Sequence, residues 1–149
     1  MAKFRFQLEA VLKHRKNIEQ QKQRAVAELE IQRVRLEGAI RGFQDGIARE
    51  KAELRGMLNE ADLRGARWQA AASMRLLNAA RRAALELAGV YKRIETARAD
   101  LLEAAKRRKA VELLKERRYE EWRQTEARRE LAAVDELAVM AAGRKDDAP

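Results

Sequence analysis

Large apolar residues recur along the first half of the chain at alternating spacings of four and three positions. This spacing is the a/d pattern of a heptad repeat, and it predicts a helix that buries one narrow seam. The step from Gln32 through Leu36 to Ile40 uses two fours in succession, which predicts a local unwinding of the supercoil. The predicted seam positions are Phe4, Leu8, Val11, Arg15, Ile18, Lys22, Ala25, Leu29, Gln32, Leu36, Ile40, Phe43, Ile47, Glu50, Leu54, Met57 and Ala61.

The same spacing resumes in the second half of the chain. Between the halves, Asn59, Asp62 and Gly65 form a cluster of turn-type residues, which predicts a chain reversal. We therefore expect an all-α fold, a long two-helix antiparallel coiled-coil hairpin in one domain over residues 1–149. Helix 1 is predicted at about 3–60, the bend at 61–67, helix 2 at 68–142 and a frayed tail at 143–149. The second seam is Leu76, Ala80, Ala83, Leu87, Val90, Ile94, Ala97, Leu101, Ala104, Arg108 and Val111.

A bend centred near Arg64 sets the register of the two helices. Residue i then faces roughly residue 128 − i, which places Phe6 near Trp122, Glu9 near Tyr119 and Phe43 near Leu85. Residues after about 124 have no residue to face. The sequence thus predicts a C-terminal helical overhang, with an apolar stripe on Leu131, Val134, Leu137 and Ala141.

The composition narrows the class of protein. Ala, Leu, Glu, Arg and Lys dominate, 38% of the residues are charged and aromatic residues make up 5%. This is the composition of long helices or coiled coils. The chain has no cysteine, which excludes disulfides and thiolate metal sites. The sequence lacks an apolar run of membrane-spanning length and a signal-peptide core, so we expect a cytoplasmic protein.

The net charge of +9 is spread along the chain and is densest in residues 106–130, with 10 basic and 6 acidic side chains. Basic residues alternate with Glu, as on a solvated helix face with i, i+4 ion pairs. A nucleic-acid footprint is typically more one-sided, so nucleic acid is not an expected partner.

Residues suited to catalysis are scarce. His14 is the only histidine and lies in a basic run, and Ser73 is the only serine. The adjacent Glu120 and Glu121 diverge around a helix, because neighbouring helical residues do not face each other. An active site needs convergent groups in a concavity. We therefore predict neither an enzyme nor a bound cofactor or metal.

Two local patterns each have a structural and a functional interpretation. In KERRYEEW, residues 115–122, Tyr119 and Trp122 lie one helical turn apart. They can pack on Phe4, Phe6 and Leu8, or they can anchor a partner. Gly38, Gly42 and Gly46 share one helix face, and either tolerated flexibility or a flat docking strip beside Phe43 explains them.

Two segments resemble a known family, that of the flagellar export protein FliJ. FRFQLEAVLKHRKNIEQQKQRAVAEL, residues 4–29, is similar to its N-terminal signature, and ELLKERRYEEWRQTEARRELAAVDELA, residues 112–138, to its C-terminal one. The resemblance implies a non-enzymatic, cytoplasmic part of the flagellar type III export apparatus, peripherally associated with the inner membrane. It also implies an antiparallel coiled coil similar to the gamma stalk of rotary ATPases.

The resemblance further implies partners. The end formed by both termini enters the pore of the hexameric export ATPase, the coil engages the cytoplasmic domain of the membrane export gate, and the protein escorts export chaperones. We assign the gate side to Ile40, Phe43, Ile47 and Trp68, although Phe43 and Ile47 also suit ordinary seam positions. The ATPase end is assigned to Phe4, Phe6, Arg117, Arg118, Tyr119, Trp122, Arg123 and Arg128.

Two alternatives from other classes stay open. One is a basic coiled-coil arm that binds nucleic acid, which the pI near 10.2 permits. The other is a homodimeric scaffold that uses the same heptads between chains. The hairpin interpretation predicts an elongated monomer when the protein is free.

Overall fold

The computed structural model describes residues 3–146, with side chains through Ala142. Two α-helices account for nearly all of this range: α1 spans Glu9–Asn59 and α2 spans Leu63–Asp146. Residues 3–146 contain no β-strand. The predicted all-α fold with two long helices is therefore confirmed.

The segment before α1 differs from the prediction. Helix 1 was expected from about residue 3, but residues 3–6 have no regular secondary structure and α1 begins at Glu9. In this segment Phe6 is buried and Phe4 and Leu8 are half-buried, whereas the intervening Arg5 and Gln7 are exposed. This alternation has a period of two, which is the period of an extended chain and not of a helix.

The turn between the helices is shorter than predicted. Ala61 has φ of 59°, in the left-handed region, and its N–H donates to the carbonyl of Leu58 (3.2 Å). The Asp62 N–H donates to the carbonyl of Met57 (2.9 Å), and these two bonds together form a Schellman motif that ends α1. Asp62 Oδ1 then accepts the Gly65 N–H (2.9 Å) and caps α2. Because one aspartate serves both helices, α2 begins at residue 63 and not at 68.

The seam of α2 agrees with the heptad pattern at every predicted position. Ala83, Val90, Ile94 and Ala104 are buried, and the other seven positions are half-buried. The helix also continues beyond the predicted end at 142, since residues 143–146 are helical. Residues 147–149 of the predicted frayed tail lie outside the described part of the chain.

The seam of α1 follows a slightly different line from the predicted one. Val11 and Gln32 are exposed, whereas their neighbours Leu12 and Arg33 are buried and half-buried. The predicted position Ala61 is also exposed, because it lies in the turn after α1. A strict alternation of three and four with no stutter runs through Leu12, Arg15, Glu19, Lys22, Val26, Leu29, Arg33, Leu36, Ile40, Phe43, Ile47, Glu50, Leu54 and Met57. Long charged side chains can occupy such positions, because their methylene stems cover apolar surface while their charged ends pair or reach water.

The chain divides into two compact units. Unit 1 combines Met1–Glu19 with Ala104–Pro149, and unit 2 is Gln20–Glu103. Within each unit a segment of α1 lies antiparallel to a segment of α2. The ion pairs Lys115–Glu9 and Arg108–Glu19 join the segments of unit 1.

The pairs that join the segments of unit 2 are Arg98–Glu30 and Lys22–Asp100. These pairs fall close to the predicted register, and Glu9 pairs with Lys115, one helical turn before Tyr119. One specific expectation was wrong. Leu85, expected opposite Phe43, is 75% exposed.

Candidate partner-binding sites

Three rings in unit 1 form an aromatic cluster, which we define as Phe4, Tyr119 and Trp122. The Phe4 ring meets Tyr119 edge-on at 5.3 Å between ring centres and Trp122 at 5.8 Å, and Tyr119 stacks on Trp122 at 5.8 Å. Tyr119 and Trp122, which lie one turn apart on α2, thus both contact Phe4 from the segment before α1. Tyr119 remains 47% exposed. The cluster packs the N-terminal segment onto α2 and still presents aromatic surface to solvent.

The neighbouring Phe6 is held differently from Phe4. It is 8% exposed, and the Lys115 ammonium lies 5.9 Å from the centre of its ring, a cation–π distance. Lys115 Nζ also donates to Glu9 Oε2 (2.7 Å), in the first turn of α1. Phe6 was assigned to partner binding, but its burial leaves it little surface to offer.

A chain of alternating charges joins the two helix segments of unit 1. Arg108, at a seam position, donates both to Glu19 of α1 and to Glu112 on its own helix. Lys16 of α1 then pairs with Glu112 (3.5 Å). Glu19 is 15% exposed and Arg108 is 25% exposed, so these charges are partly shielded from water. The network fixes the pairing of charge-rich segments that have few large apolar side chains.

The arginines assigned to the ATPase end lie on the outer surface of α2. Arg117, Arg118, Arg123 and Arg128 are all exposed. Arg123 pairs with Glu120 on the same helix (3.0 Å). Within the described range the other three form no ion pair, which leaves their guanidinium groups available to an anionic surface.

The C-terminal overhang, defined as residues 127–142, is exposed at every position. Glu126 is the last half-buried residue among the side chains of α2 that the structure describes, which end at Ala142. The overhang nevertheless carries large apolar side chains that are 59–72% exposed: Leu131, Val134, Leu137, Val139 and Met140. Monomeric soluble proteins seldom expose contiguous apolar surface of this kind outside interaction sites.

The four residues assigned to the gate side do not form one exposed patch. Ile40, Phe43 and Ile47 are half-buried on the seam of α1, whereas Trp68 is 74% exposed on α2. Within the residues that the structure describes, no ring contact joins Trp68 to Phe43. Of the three glycines on this side of α1, only Gly46 is closely packed, since a Cβ there would lie 2.7 Å from Leu76 Cδ2.

A surface that the sequence analysis missed begins at Trp68. We define the arginine stripe as Arg64, Arg67, Trp68, Arg75, Arg82 and Leu85, which share one face of α2 at 3.6 residues per turn and are all exposed. Arg64, Arg67, Trp68, Ala71 and Arg75 line an open pocket of about 420 Å³. One feature of the sequence could have revealed this surface, namely the absence of acidic residues around Trp68. Residues 63–85 contain five arginines and no Asp or Glu, whereas elsewhere in the chain basic residues alternate with acids.

Unit 2 also contains a polar network that joins its helices. Tyr91 of α2 donates to Glu37 Oε1 of α1 (2.7 Å), and this hydrogen bond, aided by burial, raises the pKa of the Tyr91 phenol above its usual 10.0. Arg33 Nε lies 2.7 Å from Glu30 Oε2, and Arg98 pairs with Glu30 from α2 (2.6 Å). The charge of Glu30 is the main reason that the pKa of Arg33 is raised.

That Arg33 Nε contact is an ion pair only, because no hydrogen-bond partner satisfies this buried nitrogen. This polar network joins the α1 and α2 segments of unit 2, and it has no features of a reactive site. Its members are Glu30, Arg33, Glu37, Tyr91 and Arg98.

Neither metal-holding nor membrane-spanning elements are present in the described range. No group of three or more His, Cys, Asp or Glu side chains between residues 3 and 142 is arranged to hold a metal ion. Neither α1 nor α2, as far as they are described, is long and apolar enough to cross a membrane. The candidate sites described above are three surfaces: the aromatic cluster with its arginines, the C-terminal overhang and the arginine stripe.

Antiparallel helix segments within each unit, with charged outer faces and exposed apolar side chains, are typical of coiled-coil proteins. The family model described as Flagellar FliJ protein matches residues 4–147, so the chain belongs to the FliJ family. It is a component of the flagellar export apparatus, and the family is a non-catalytic one. No curated protein and no solved structure matches the chain.

Proposed function

We propose that this protein is the central stalk of the hexameric export ATPase and couples it to the membrane export gate. The observation that carries the proposal is the surface of unit 1. There, exposed arginines, a partly exposed aromatic cluster and an exposed apolar overhang follow one another along α2 within a chain of the FliJ family. The protein acts in the cytoplasm, at the periphery of the inner-membrane export apparatus, and escorts export chaperones.

The first step of the proposed mechanism is electrostatic. Arg117, Arg118 and Arg128, which lack an ion pair with any described residue, meet acidic groups that line the ATPase pore. Charges of this kind accelerate encounter and orient the partner more than they add affinity. A stalk that sits in an asymmetric socket benefits from such contacts, because they tolerate small displacements.

The second step is apolar anchoring. Tyr119 and Trp122 are fixed by stacking on each other and by Phe4, so their exposed edges meet a partner with little loss of side-chain entropy. The overhang adds Leu131, Val134 and Leu137, which follow the half-buried Glu126 and are all exposed. Burial of these side chains by the ATPase would stabilise the complex by roughly 25 cal/mol per Å² of apolar surface.

The gate contact is assigned to unit 2. Ile40, Phe43 and Ile47 are half-buried and reach a partner only through the exposed edges of their side chains. Gly38 and Gly42 lie in open space on the same helix, so a partner backbone can approach α1 closely there. Trp68 lies on α2 and is considered separately.

The experiment that tests the stalk assignment is co-elution with the purified export ATPase hexamer. Arg117→Glu, Arg118→Glu and Arg123→Glu are combined in one variant, and we expect its binding to fall at least about tenfold, because three contacts turn repulsive. The matched control combines Arg24→Glu, Arg35→Glu and Arg93→Glu, which are exposed residues of unit 2, and its binding should be unchanged.

Both variants should keep the helical circular dichroism of the original protein, since all six residues are exposed. Undiminished co-elution of the first variant at moderate salt would show that unit 1 does not dock to the ATPase. A second variant with Leu131→Ser, Val134→Ser and Leu137→Ser separates apolar anchoring from charge. The difference in binding between this variant and the original protein should remain at high salt, where the charge contribution is screened.

A further inference from the structure

The arginine stripe of unit 2 has a composition unlike that of the rest of the molecule. From Leu63 to Leu85 there are five arginines and no acidic residue over 23 positions. None of the five forms an ion pair with a described residue, and all are exposed. Elsewhere arginines such as Arg33, Arg98 and Arg108 are held by carboxylates on the facing helix or on their own.

Two carboxylates close to the stripe make hydrogen bonds to other groups. Asp62 caps the N-terminus of α2 through Gly65, and Glu53 of α1 accepts a hydrogen bond from Gln69 (3.0 Å). Neither carboxylate forms an ion pair with an arginine of the stripe. Its positive charge is therefore available to an external anion, and it is reinforced by the partial positive charge at the start of α2.

Apolar side chains accompany this charge. Trp68 is 74% exposed and shares the pocket with Arg64, Arg67 and Arg75. Leu63, Met74 and Leu85 are 55–75% exposed nearby on the same helix. Tryptophan and arginine together are typical of surfaces that sit at a lipid–water interface, where the ring enters the headgroup layer and the guanidinium groups meet phosphates.

The shape of the stripe also suits a membrane. Its residues follow one face of a regular helix for about 30 Å at 1.5 Å per residue, so they can meet a flat surface together. Each basic residue near an anionic leaflet contributes about 1 kcal/mol. Four arginines with a tryptophan are therefore enough for reversible association, without any spanning segment.

We propose that the arginine stripe docks unit 2 onto an anionic phospholipid membrane, with guanidinium groups on lipid phosphates and Trp68 in the headgroup layer. This surface is distinct from the one that the stalk assignment uses, since the ATPase contacts are assigned to unit 1. The inference therefore stands or falls independently of the proposed function. It also gives Trp68 a partner other than the export gate.

The test uses the full chain carrying Trp122→Phe, which leaves Trp68 as the only tryptophan. With vesicles of phosphatidylcholine containing a third phosphatidylglycerol, the Trp68 emission should shift to the blue and the protein should sediment with the vesicles. Pure phosphatidylcholine vesicles should produce neither effect. Combining Arg64→Gln, Arg67→Gln and Arg75→Gln should weaken partitioning about a hundredfold, because the contacts of three basic residues with the anionic leaflet are lost.

The control variant carries Arg24→Gln, Arg35→Gln and Arg93→Gln, which removes the same charge from other exposed positions of unit 2. It should partition as the parent does. Equal losses in both variants would mean that net charge alone drives association, which overturns the proposal. The proposal is also overturned if anionic vesicles leave Trp68 unaffected while duplex RNA or polyglutamate shifts its emission through the same arginines.

Discussion

The two tryptophans of this chain lie in opposite kinds of surroundings. Trp122 is half-buried against Tyr119 and Phe4, and the nearby Lys115 and Arg123 pair with carboxylates, whereas Arg117 and Arg118 form no ion pair with a described residue. Trp68 is 74% exposed among arginines that no described carboxylate holds. In this fold, charged residues therefore have two roles. Some basic residues, such as Arg108 and Lys115, join the helix segments through ion pairs with carboxylates. Others are exposed and unpaired within the described range, and in the arginine stripe no acidic residue lies between them.

The strongest way to break this comparison is to truncate each tryptophan. Trp122→Ala should lower the free energy of unfolding by about 2–3 kcal/mol, because it removes a half-buried ring and two ring contacts. Trp68→Ala should change it by less than about 0.5 kcal/mol, as expected for an exposed residue. Urea unfolding followed by circular dichroism measures both. Similar losses at the two positions would erase the distinction between a packed and a free tryptophan.

The paired charges offer a second, smaller effect. Arg108→Ala should destabilise the protein by about 1–2 kcal/mol, because it leaves Glu19, which is 15% exposed, without its cation. The matched change Arg75→Ala in the arginine stripe should be close to neutral, since Arg75 has no described ion pair to lose. The same unfolding measurement decides between them. If Arg75→Ala proved the more damaging change, the stripe would have an undetected structural role.

The turn that precedes the stripe provides a change in the stabilising direction. Ala61 has a left-handed φ of 59°, which an alanine adopts at a cost and a glycine adopts freely. Ala61→Gly should therefore raise the free energy of unfolding by about 0.5–1 kcal/mol. Gly65→Ala should lower it, since a Cβ there would lie 2.1 Å from Asp62 Oδ2. Thermal unfolding of the two variants, which move in opposite directions, checks the turn geometry.

The smallest expected effect concerns the paired network of unit 2. The pKa of Tyr91 is raised in the folded state, so its contribution to stability is complete below the usual value of 10.0 and is lost as pH rises through the raised value. The chain has two tyrosines. In an absorbance titration of phenolate, Tyr91→Phe should remove the component whose pKa lies above 10.0. If that component remained in the Tyr91→Phe variant, the raised pKa would not belong to Tyr91.

The heptad pattern predicted most of the fold, because seam burial depends directly on periodicity. All eleven predicted positions of the α2 seam are buried or half-buried, since Ala, Leu, Val and Ile dominate that seam. In α1 the prediction of which residue is buried was wrong at Val11 and Gln32. There the buried line passes through Leu12 and Arg33, and a count of apolar residues undervalues an arginine whose stem packs while its charge pairs.

The candidate sites were less predictable than the helices. The packing of Phe4 on Tyr119 and Trp122 followed from the register, but the extended segment before Glu9 required attention to the alternation of Phe4, Phe6 and Leu8. The arginine stripe could be predicted only from the absence of acidic residues in one segment, because basic residues are abundant along the whole chain. Ala61 in a left-handed conformation has no sequence signal, because alanine favours the helical region and the turn chemistry around it imposes the strain.

The most direct test of the central claim, that the two regions serve different partners, uses the absence of native cysteines. An environment-sensitive fluorophore is attached to Thr125→Cys in unit 1 or to Ala71→Cys beside the arginine stripe, both exposed positions. The account predicts that the export ATPase hexamer changes the emission at position 125 and leaves position 71 unchanged, and that anionic vesicles do the reverse. Equal responses at both positions to either partner, or the reversed assignment, would contradict it.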